Sequence, residues 1–496
     1  MAKSYRPWAP LQPYLLPPSP LEWLPEDHLA FFVLDVVEQL DIGLIEDEIQ
    51  GKDARGERPY SPRMLLALLL YGYCVGVFSS RRIARATYED VAFRVLAGDS
   101  HPHFTTINQF RLDHLHAFRE LFVQGLKLCT EAGLVKLGHV SLDGTKILAN
   151  ASKHKAMSYK RMQEEEARLR AEVDRLLARA NEIDQQEDET FGIGRSGDEL
   201  PEELRFREKR LARILAAKAA LEREAAQARA AQLRENAAGQ RARSEDPNVP
   251  TRQRGEAATR ARKSEAQANL FDNSDDDDPS AGGADGASTL PRHRLAATVD
   301  GKPKPEAQRN FTDPESRIMV KGGDFVQAYN VQIVVDGEAQ VIVGEAVTNQ
   351  PPDTQHLQPL LEQTRSTLKE VPLVFSADSG YYSDENVNYC ERHGIDAYIS
   401  VGRASRAGHQ TFAATAHPTP TRDRMHQKLR SHDGAQHYGR RKVIAEPPFG
   451  QIKAARGFRR FSLRGLRKVR GEWSLVSLTH NLLKLFRHGQ HPAPAT

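Results

Sequence analysis

The chain has 496 residues, with 69 Lys and Arg against 66 Asp and Glu, and a length of this order predicts two or three structural units rather than one core. Its cysteines, Cys74, Cys129 and Cys390, lie far apart with no CxxC spacing, which argues against a disulfide framework and a cysteine zinc site. A signal-peptide pattern and an apolar run of membrane-spanning length are both missing from the sequence, which predicts a cytoplasmic protein with no membrane partner.

The net charge is only +3, but it is unevenly distributed along the chain. The middle carries the acidic run Asp275–Asp278, whereas the C-terminal segment is strongly basic. Such asymmetry indicates an anionic partner, and nucleic acid is the most common one.

The first part of the chain, about residues 21–135, has the pattern of a helical region. Ser61 and Pro62 resemble a helix cap followed by proline at the first helical position. The helix that they begin, Met64–Val77, is apolar around most of its surface and is expected in a core. Short helices, tight Ser/Thr turns and exposed arginines suit a helix-turn-helix-like DNA-binding unit, and they suit an ordinary helical domain almost as well.

Two aspartates follow apolar stretches that predict strands. Val140 and Leu142 alternate with polar residues in a strand expected to end or turn near Asp143 and Gly144, since Asp-Gly favours a turn. A second apolar strand, 371–377, runs into Asp378 and a glycine turn, which is a common way for an α/β sheet to present a carboxylate at its edge. Each residue taken alone is also compatible with a plain turn aspartate.

A single carboxylate, Glu446, lies within a strongly basic segment. The cations around and after it are Arg440, Arg441, Lys442, Lys453, Arg456, Arg459, Arg460, Arg464, Arg467, Lys468 and Arg470. This arrangement suits an enzyme whose cations bind phosphates and whose carboxylate binds a divalent ion, and it also suits a basic helix with Glu446 as a surface ion-pair partner. Pro447 and Pro448 predict that Glu446 lies at a helix start or at a kink rather than mid-helix.

The middle of the chain differs from both ends. Residues 157–236 carry two apolar seams, the first with heptad spacing, separated by a glycine-rich break, which predicts an inserted coiled helical hairpin. Residues 237–310 are poor in apolar groups and predict a disordered linker.

The order of the elements predicts the fold class. A strand with Asp143, a β-hairpin within 325–347, a helix, a strand with Asp378, and a later helical segment with Glu446 resemble the ribonuclease H-like α/β fold, a mixed sheet flanked by helices. In that fold Asp143, Asp378 and Glu446 could converge despite their separation in sequence. Three adjacent carboxylates repel one another, and two divalent ions would relieve the repulsion. Oxygen-only ligands favour Mg²⁺ or Mn²⁺ over zinc.

Three segments carry a resemblance to a known family. Ser141-Leu-Asp-Gly-Thr-Lys146, Ala377-Asp-Ser-Gly-Tyr-Tyr382 and Glu446-Pro-Pro-Phe-Gly-Gln-Ile-Lys453 are similar to the segments around the three catalytic acids of DDE transposases of bacterial insertion sequences. The resemblance implies that Asp143, Asp378 and Glu446 are catalytic and metal-binding residues.

The same segment resembles the family's Tyr-x2-Arg-x3-Glu-x6-Lys signature through Tyr438, Glu446 and Lys453. Four residues, not three, separate Arg441 from Glu446, so Arg441 and Lys442 are both candidates for the basic position. The resemblance implies DNA contacts by Tyr438 and Lys453, and the DNA-binding set expected from the basic segment is Tyr438, Arg441, Lys442, Lys453, Arg456, Arg459 and Arg460.

These patterns together predict a Mg²⁺-dependent DNA transposase that cleaves at transposon ends and joins 3′-hydroxyls to target DNA. Its partners would be terminal inverted repeats and target DNA, with a homo-oligomer as the active form and the nucleoid as its place of action. The alternatives are a catalytically inactive, transposase-derived DNA-binding protein and a ribonuclease H-like nuclease without strand transfer. The expected organisation is an all-α N-terminal DNA-binding domain (1–135), a catalytic domain (136–156 and 311–490), the helical hairpin (157–236) and the linker (237–310).

Overall fold

The structure of the chain is a computed structural model that describes residues 22–51, 59–191, 202–271, 293–402 and 419–490. Its N-terminal region is helical, as the sequence predicts. The helices are α1 (Leu29–Gln39), α2 (Gly43–Gln50), α3 (Pro62–Cys74), α4 (Ser80–Glu89), α5 (Val91–Leu96), α6 (Phe104–Asp113) and α7 (Ala117–Glu131). The proline at the first position of α3 follows Ser61, which confirms the predicted start of this helix.

A mixed six-stranded sheet forms the centre of the second half of the chain. Its strands are β1 (His139–Leu148), β4 (Arg317–Lys321), β5 (Asp324–Asp336), β6 (Ile342–Thr348), β7 (Val374–Ala377) and β8 (Asp396–Ile399). The long strand β5 pairs antiparallel with β4, with β6 and with β1, and β1 continues the sheet through parallel pairs with β7 and then β8. This topology, with helices on both faces, confirms the predicted ribonuclease H-like fold.

The first acid-bearing strand is longer than the sequence predicts. β1 does not end near Asp143 and Gly144, because Gly144–Leu148 continue the antiparallel ladder with Gln332–Ala328 of β5. The glycine belongs in the strand for a steric reason. A Cβ at Gly144 would lie 2.6 Å from Gln332 Nε2 and 2.8 Å from the Tyr381 hydroxyl.

Helices cover both faces of the sheet. After β6 come α11 (Leu357–Leu368), α12 (Asp384–Arg392), α13 (Pro420–Arg430), α14 (His432–Gly450) and α15 (Leu466–Gln490). Alternate β5 residues such as Val331 and Ile333 face one core, with α15 and the N-terminal helices, while Val334 faces the other, with α11 and α12. In the described residues, no helix has the length and apolar character needed to cross a bilayer.

The N-terminal helices have no core of their own. Buried side chains of α1 and α3 belong to the same cluster as Trp473 of α15 and Tyr329 of β5. The boundary predicted at residue 135 therefore does not separate two hydrophobic cores.

The insertion after β1 contains more helix than predicted. A small sheet of β2 (Ala156–Ser158) and β3 (Gln308–Asn310) closes its base, and α8 (Tyr159–Phe191), α9 (Glu202–Glu245) and α10 (Thr251–Asn269) follow from it. The prediction of a disordered linker over 237–310 is wrong where the structure describes it, because α9 runs to Glu245 and α10 packs along it. Buried alanines, including Ala237, Ala257 and Ala261, allow these two helices to approach closely although few large apolar residues are available. The glycine-rich break at 192–201 and the acidic run Asp275–Asp278 lie outside the described residues.

Candidate active site

Asp143 and Asp378 lie side by side at one edge of the sheet. The last parallel pair between β1 and β7 is Leu142 with Ala377, so the next residue on each strand is an aspartate. β7 ends there, and the carboxylate of Asp378 caps the following turn by accepting a hydrogen bond from the amide of Gly380 at 2.8 Å. Strand pairing therefore fixes the relative position of these two acids.

The charge of Glu446 also acts on Asp143. Burial raises the pKa of Asp143 to about 6; the guanidinium of Arg441 opposes this rise, and the charges of Asp378 and Glu446 add to it. Helix α14, which carries Glu446, packs across β1, β5, β7 and β8. The charges of Asp378 and Glu446 thus both act on Asp143.

The prolines predict that Glu446 lies at a helix start or at a kink. In the structure it does not begin a helix but lies inside α14, directly before Pro447 and Pro448. Pro447 has no amide hydrogen, so the carbonyl of Val443 lacks its usual partner in the helix. The side chain of Gln340, in the turn between β5 and β6, donates a hydrogen bond to that carbonyl at 2.9 Å. A partner from another part of the fold therefore replaces the missing helical bond, and α14 continues to Gly450 before a π-helical turn, Gln451–Ala455.

Asp143, Asp378 and Glu446 have the donor atoms that a divalent ion requires, although their side chains are not arranged to bind one. Three carboxylates offer only oxygen, the ligand that Mg²⁺ and Mn²⁺ prefer. Among the residues that the structure describes, no three His, Cys, Asp or Glu side chains are already arranged to hold a metal. Arg441 Nη1 lies 3.7 Å from Asp143 Oδ2, and Glu446 is exposed, so its side chain can change rotamer without disturbing the core. On donor type, these residues fit the ion.

Arg441 and Lys442 have different surroundings. Arg441 is mostly buried between Asp143 and the ring of Tyr438, whose centroid lies 6.0 Å from the guanidinium carbon. Lys442 is exposed on α14. Arg441 is therefore the basic residue of this pair that ion-pairs with the first acid.

Lys453 is the cation that extends toward the site from the π-helical turn. Its ammonium donates a hydrogen bond to Thr145 Oγ1, on the strand that carries Asp143. Burial, with a contribution from Lys321, lowers its pKa to about 8. Arg459 and Arg460 follow as exposed residues between the buried rings of Phe458 and Phe461, which pack this segment against the core.

The prediction that Arg456 binds DNA is wrong, because its side chain is buried. It is only 7% exposed, and its guanidinium donates hydrogen bonds to Thr479 Oγ1 at 2.8 Å and to the carbonyls of Val476 and Tyr73. A guanidinium enclosed in this way joins α15 to α3 and is not available to a phosphate.

A buried polar network beside the acids was not predicted. Asp353, just before α11, accepts hydrogen bonds from Asn330 at 2.6 Å and Gln332 at 2.8 Å, and its carboxylate is 3.4 Å from the ammonium of Lys146. Gln332 in turn accepts a hydrogen bond from the hydroxyl of Tyr381. The sequence does contain a signal for this network, since Asn330 and Gln332 are polar residues on one face of an otherwise apolar strand.

This network borders the two aspartates. Burial raises the pKa of Tyr381, and the charges of Asp353, Asp143 and Asp378 raise it further. Burial lowers the pKa of Lys146, and the charges of Asp353 and Asp378 act in the opposite direction and raise it. The residues around the acids therefore include a lysine and a neutral hydroxyl, Lys146 and Tyr381, which lie within the family-like segments but were given no role by the sequence analysis.

Comparison with known families gives two matches. The model of a transposase DDE domain matches residues 297–482, and the transposase domain model DUF772 matches residues 19–113. The first range includes Asp378 and Glu446, while Asp143 lies between the two ranges. No curated protein and no solved structure matches the chain.

Proposed function

The chain belongs to the DDE transposase family, and from this we propose that it cleaves DNA at the ends of its own element and transfers the 3′-hydroxyls to target DNA. The observation that carries the proposal is the position of Asp143 and Asp378 on adjacent parallel strands, within electrostatic reach of Glu446. The family uses divalent metal ions. A bound pair of Mg²⁺ or Mn²⁺ ions would activate the attacking water or 3′-hydroxyl and stabilise the leaving 3′-oxygen.

The three acids have distinct tasks in this proposal. Asp143 and Asp378 are held by strand pairing and form the fixed part of the ion-binding group. Glu446 comes from an exposed position on α14 and completes the group by a change of rotamer. Arg441 offsets the charge of Asp143 in the meantime, and its guanidinium is released to a DNA phosphate when the group closes.

Basic residues around the acids would hold the DNA backbone. Lys453 contacts the strand that carries Asp143 through its bond to Thr145, and its partly buried ammonium is suited to a phosphate next to the scissile one. Tyr438, Lys442, Arg459 and Arg460 would make further contacts to the backbone. Phosphate contacts of this kind position DNA without specifying its sequence. A homo-oligomer that pairs two element ends would be the active form.

The experiment that tests the proposal compares Asp143→Asn, Asp378→Asn and Glu446→Gln with the unchanged protein. The substrates are duplexes carrying the inverted repeats that flank the gene, with Mg²⁺ present. We expect cleavage to fall by roughly 1,000-fold or more in each variant, because the acids act as a unit, while gel-shift affinity for the ends is kept. Glu385→Gln, an exposed acid at the start of α12, is the matched control and should cleave normally.

The products separate the alternatives. Cleavage with joined products supports a transposase, and cleavage without joining supports a nuclease of the same fold. Binding without cleavage by the unchanged protein would leave only a DNA-binding derivative. Normal cleavage by the three acid variants would remove the site itself.

A further inference from the structure

The hairpin between β4 and β5 ends in an exposed apolar pair, and we call residues 320–325 the hairpin tip. Val320 and Phe325 are directly paired across the two strands, and Lys321 is paired with Asp324. Gly322 and Gly323 form the two-residue loop with φ of 60° and 93°, the left-handed geometry that tight hairpins require. The tight loop and the paired strands hold the two apolar side chains beside each other.

The apolar pair and the glycine loop of the hairpin tip are exposed. Val320 is 58% exposed and Phe325 63% exposed. A Cβ placed on Gly322 or Gly323 would meet nothing within 4 Å. Isolated exposed apolar residues are ordinary on protein surfaces, but a cross-strand aliphatic and aromatic pair at the end of a rigid hairpin forms a small apolar wedge.

Cations connect the hairpin tip to the candidate active site. Lys321 is close enough to Arg459 and to Lys453 for their charges to interact, and Lys453 is bonded to Thr145, two residues after Asp143. Phe325 precedes Ile333, the partner of Asp143 on β5, by eight residues, which is about 26 Å of extended strand. This distance corresponds to roughly eight base pairs of duplex, since each step rises about 3.4 Å.

We propose that the hairpin tip is a DNA-distorting element, in which Phe325 and Val320 stack on or insert between bases of the duplex whose backbone lies on Lys453 and Arg459. This inference rests on the proposed function, because it takes DNA as the ligand of the basic surface. The tip's own charges, Lys321 and Asp324, offset each other, so its contribution comes from apolar contact with bases. Apolar side chains that enter a duplex unstack a base step and bend the DNA.

The partner is DNA rather than a second protein because of what adjoins the apolar pair. A protein interface of useful size needs a broad apolar surface, whereas the hairpin tip offers two side chains beside a row of cations. A base offers an apolar face of matching size next to a phosphate. The wedge and the cations therefore fit the two chemical halves of a nucleotide.

The experiment uses the full chain with Phe325→Ala and Val320→Ser, singly and together. The probe is a set of duplexes carrying the element's end, with 2-aminopurine placed in turn at positions up to about ten base pairs from the cleavage point. We expect the unchanged protein to raise the fluorescence at one step, and Phe325→Ala to abolish the rise with a loss of affinity of about 5- to 100-fold. Phe206→Ala is the control, since Phe206 is a 67% exposed phenylalanine on α9.

The outcomes are distinguishable from those for catalysis. Fluorescence is recorded with Asp143→Asn in the background, so unstacking is measured without cleavage, and a catalytically inactive chain can still show it. If Asp143→Asn with an intact hairpin tip shows no fluorescence change at any position, the hairpin proposal is overturned, even where the unchanged protein cleaves normally. Equal fluorescence for Phe325→Ala and Phe206→Ala also overturns it. A changed oligomeric state of the tip variants by light scattering, with unchanged fluorescence, would assign the surface to a protein contact instead.

Discussion

At the scale of single residues, the burial of the Asp143 carboxylate lowers the stability of the folded state. Its side chain is only 16% exposed, and burial is the largest influence on its pKa, which lies near 6 rather than at the ordinary value of 3.8. An acid with a raised pKa favours its neutral form in the folded state. The ionised form needed to bind a cation is therefore held at a cost in stability, as is common for functional acids.

This predicts a pH-dependent stability difference between the unchanged protein and Asp143→Asn, measured without divalent ions. Below about pH 4 the carboxyl is protonated in both folded and unfolded chains, so the two proteins should differ least. As pH rises through 6, the unfolded chain ionises first and the folded state loses stability, so the Asn variant should become more stable by roughly 1–3 kcal/mol. The measurement is the difference in Tm between the two proteins from pH 4 to pH 8.

Mg²⁺ provides the complementary test. An ion that binds only the folded state raises Tm by mass action. Addition of Mg²⁺ should therefore reduce the difference in Tm between Asp143→Asn and the unchanged protein, because it stabilises the unchanged protein alone. A gap that stays constant across pH, or Mg²⁺ stabilisation that persists in Asp143→Asn, would contradict this account.

The sequence indicated some site residues better than others for identifiable reasons. Asp143 and Asp378 each come after an apolar stretch, and the order of the elements, through its resemblance to the ribonuclease H-like fold, predicted that they converge. Arg456 was misassigned because a basic segment does not show which arginine turns inward. That choice depends on carbonyls of Tyr73 and Val476, which come from distant helices. Asp353 was missed because its partners on β5 are known only once the strands are paired.

At the scale of elements, α14 shows how a distant partner can override a local rule. The proline rule predicts that Glu446 lies at a helix start or at a kink. Glu446 does not begin a helix, and Gln340 bonds the carbonyl that Pro447 leaves free inside α14. Gln340 is itself anchored, since its side-chain oxygen accepts a hydrogen bond from Lys484 at 2.8 Å and its backbone has a φ of 59°. The position of Glu446 along α14 therefore depends on a turn at the far end of β5.

This predicts an interaction energy between Gln340 and Pro447. Gln340→Ala should lower the free energy of unfolding by about 1 kcal/mol in the unchanged protein. In a Pro447→Ala background, the new amide can bond Val443 within the helix, so the same substitution should cost less. A double-mutant cycle by urea unfolding measures the difference, and the lost contact with Lys484 cancels because it occurs in both backgrounds. Equal costs in the two backgrounds would show that Gln340 does not support α14 in this way.

At the scale of the whole molecule, the N-terminal helices and the six-stranded sheet share one hydrophobic core. Glu472 of α15 is fully buried and accepts hydrogen bonds from the Tyr73 hydroxyl of α3 at 3.1 Å and from the amide of Leu463 at 3.0 Å. Arg111 of α6 donates to Tyr73 and to Ser462. The sequence predicted the helices but not this arrangement, because a buried ionic network between distant segments leaves no periodic pattern.

The insertion after β1, in contrast, packs around a hydrophobic cluster of its own. Its ends are already adjacent, since the amide of Tyr159 donates to the carbonyl of Ala307 at 2.8 Å. Its contacts with the six-stranded sheet include the ion pair from Glu224 to Arg317 of β4, and the amide of His293 donates a hydrogen bond to Asn349, next to β6, at 3.0 Å. Removing the insertion should therefore remove surface contacts of the six-stranded sheet and leave its hydrophobic core intact.

These two relations predict opposite results for two deletions of similar size. A chain that begins at residue 136 loses Tyr73, which is a partner of both Glu472 and Arg456, and it exposes the apolar face of α15. Removing one partner from a buried charge costs several kcal/mol. We expect this fragment to show no cooperative thermal transition. A chain in which a short glycine linker replaces residues 160–306 should keep a cooperative transition at a lower Tm, and circular dichroism melting measures both. Cooperative melting of the first fragment would mean that the catalytic sheet folds alone, and that the shared core contributes to function rather than to folding.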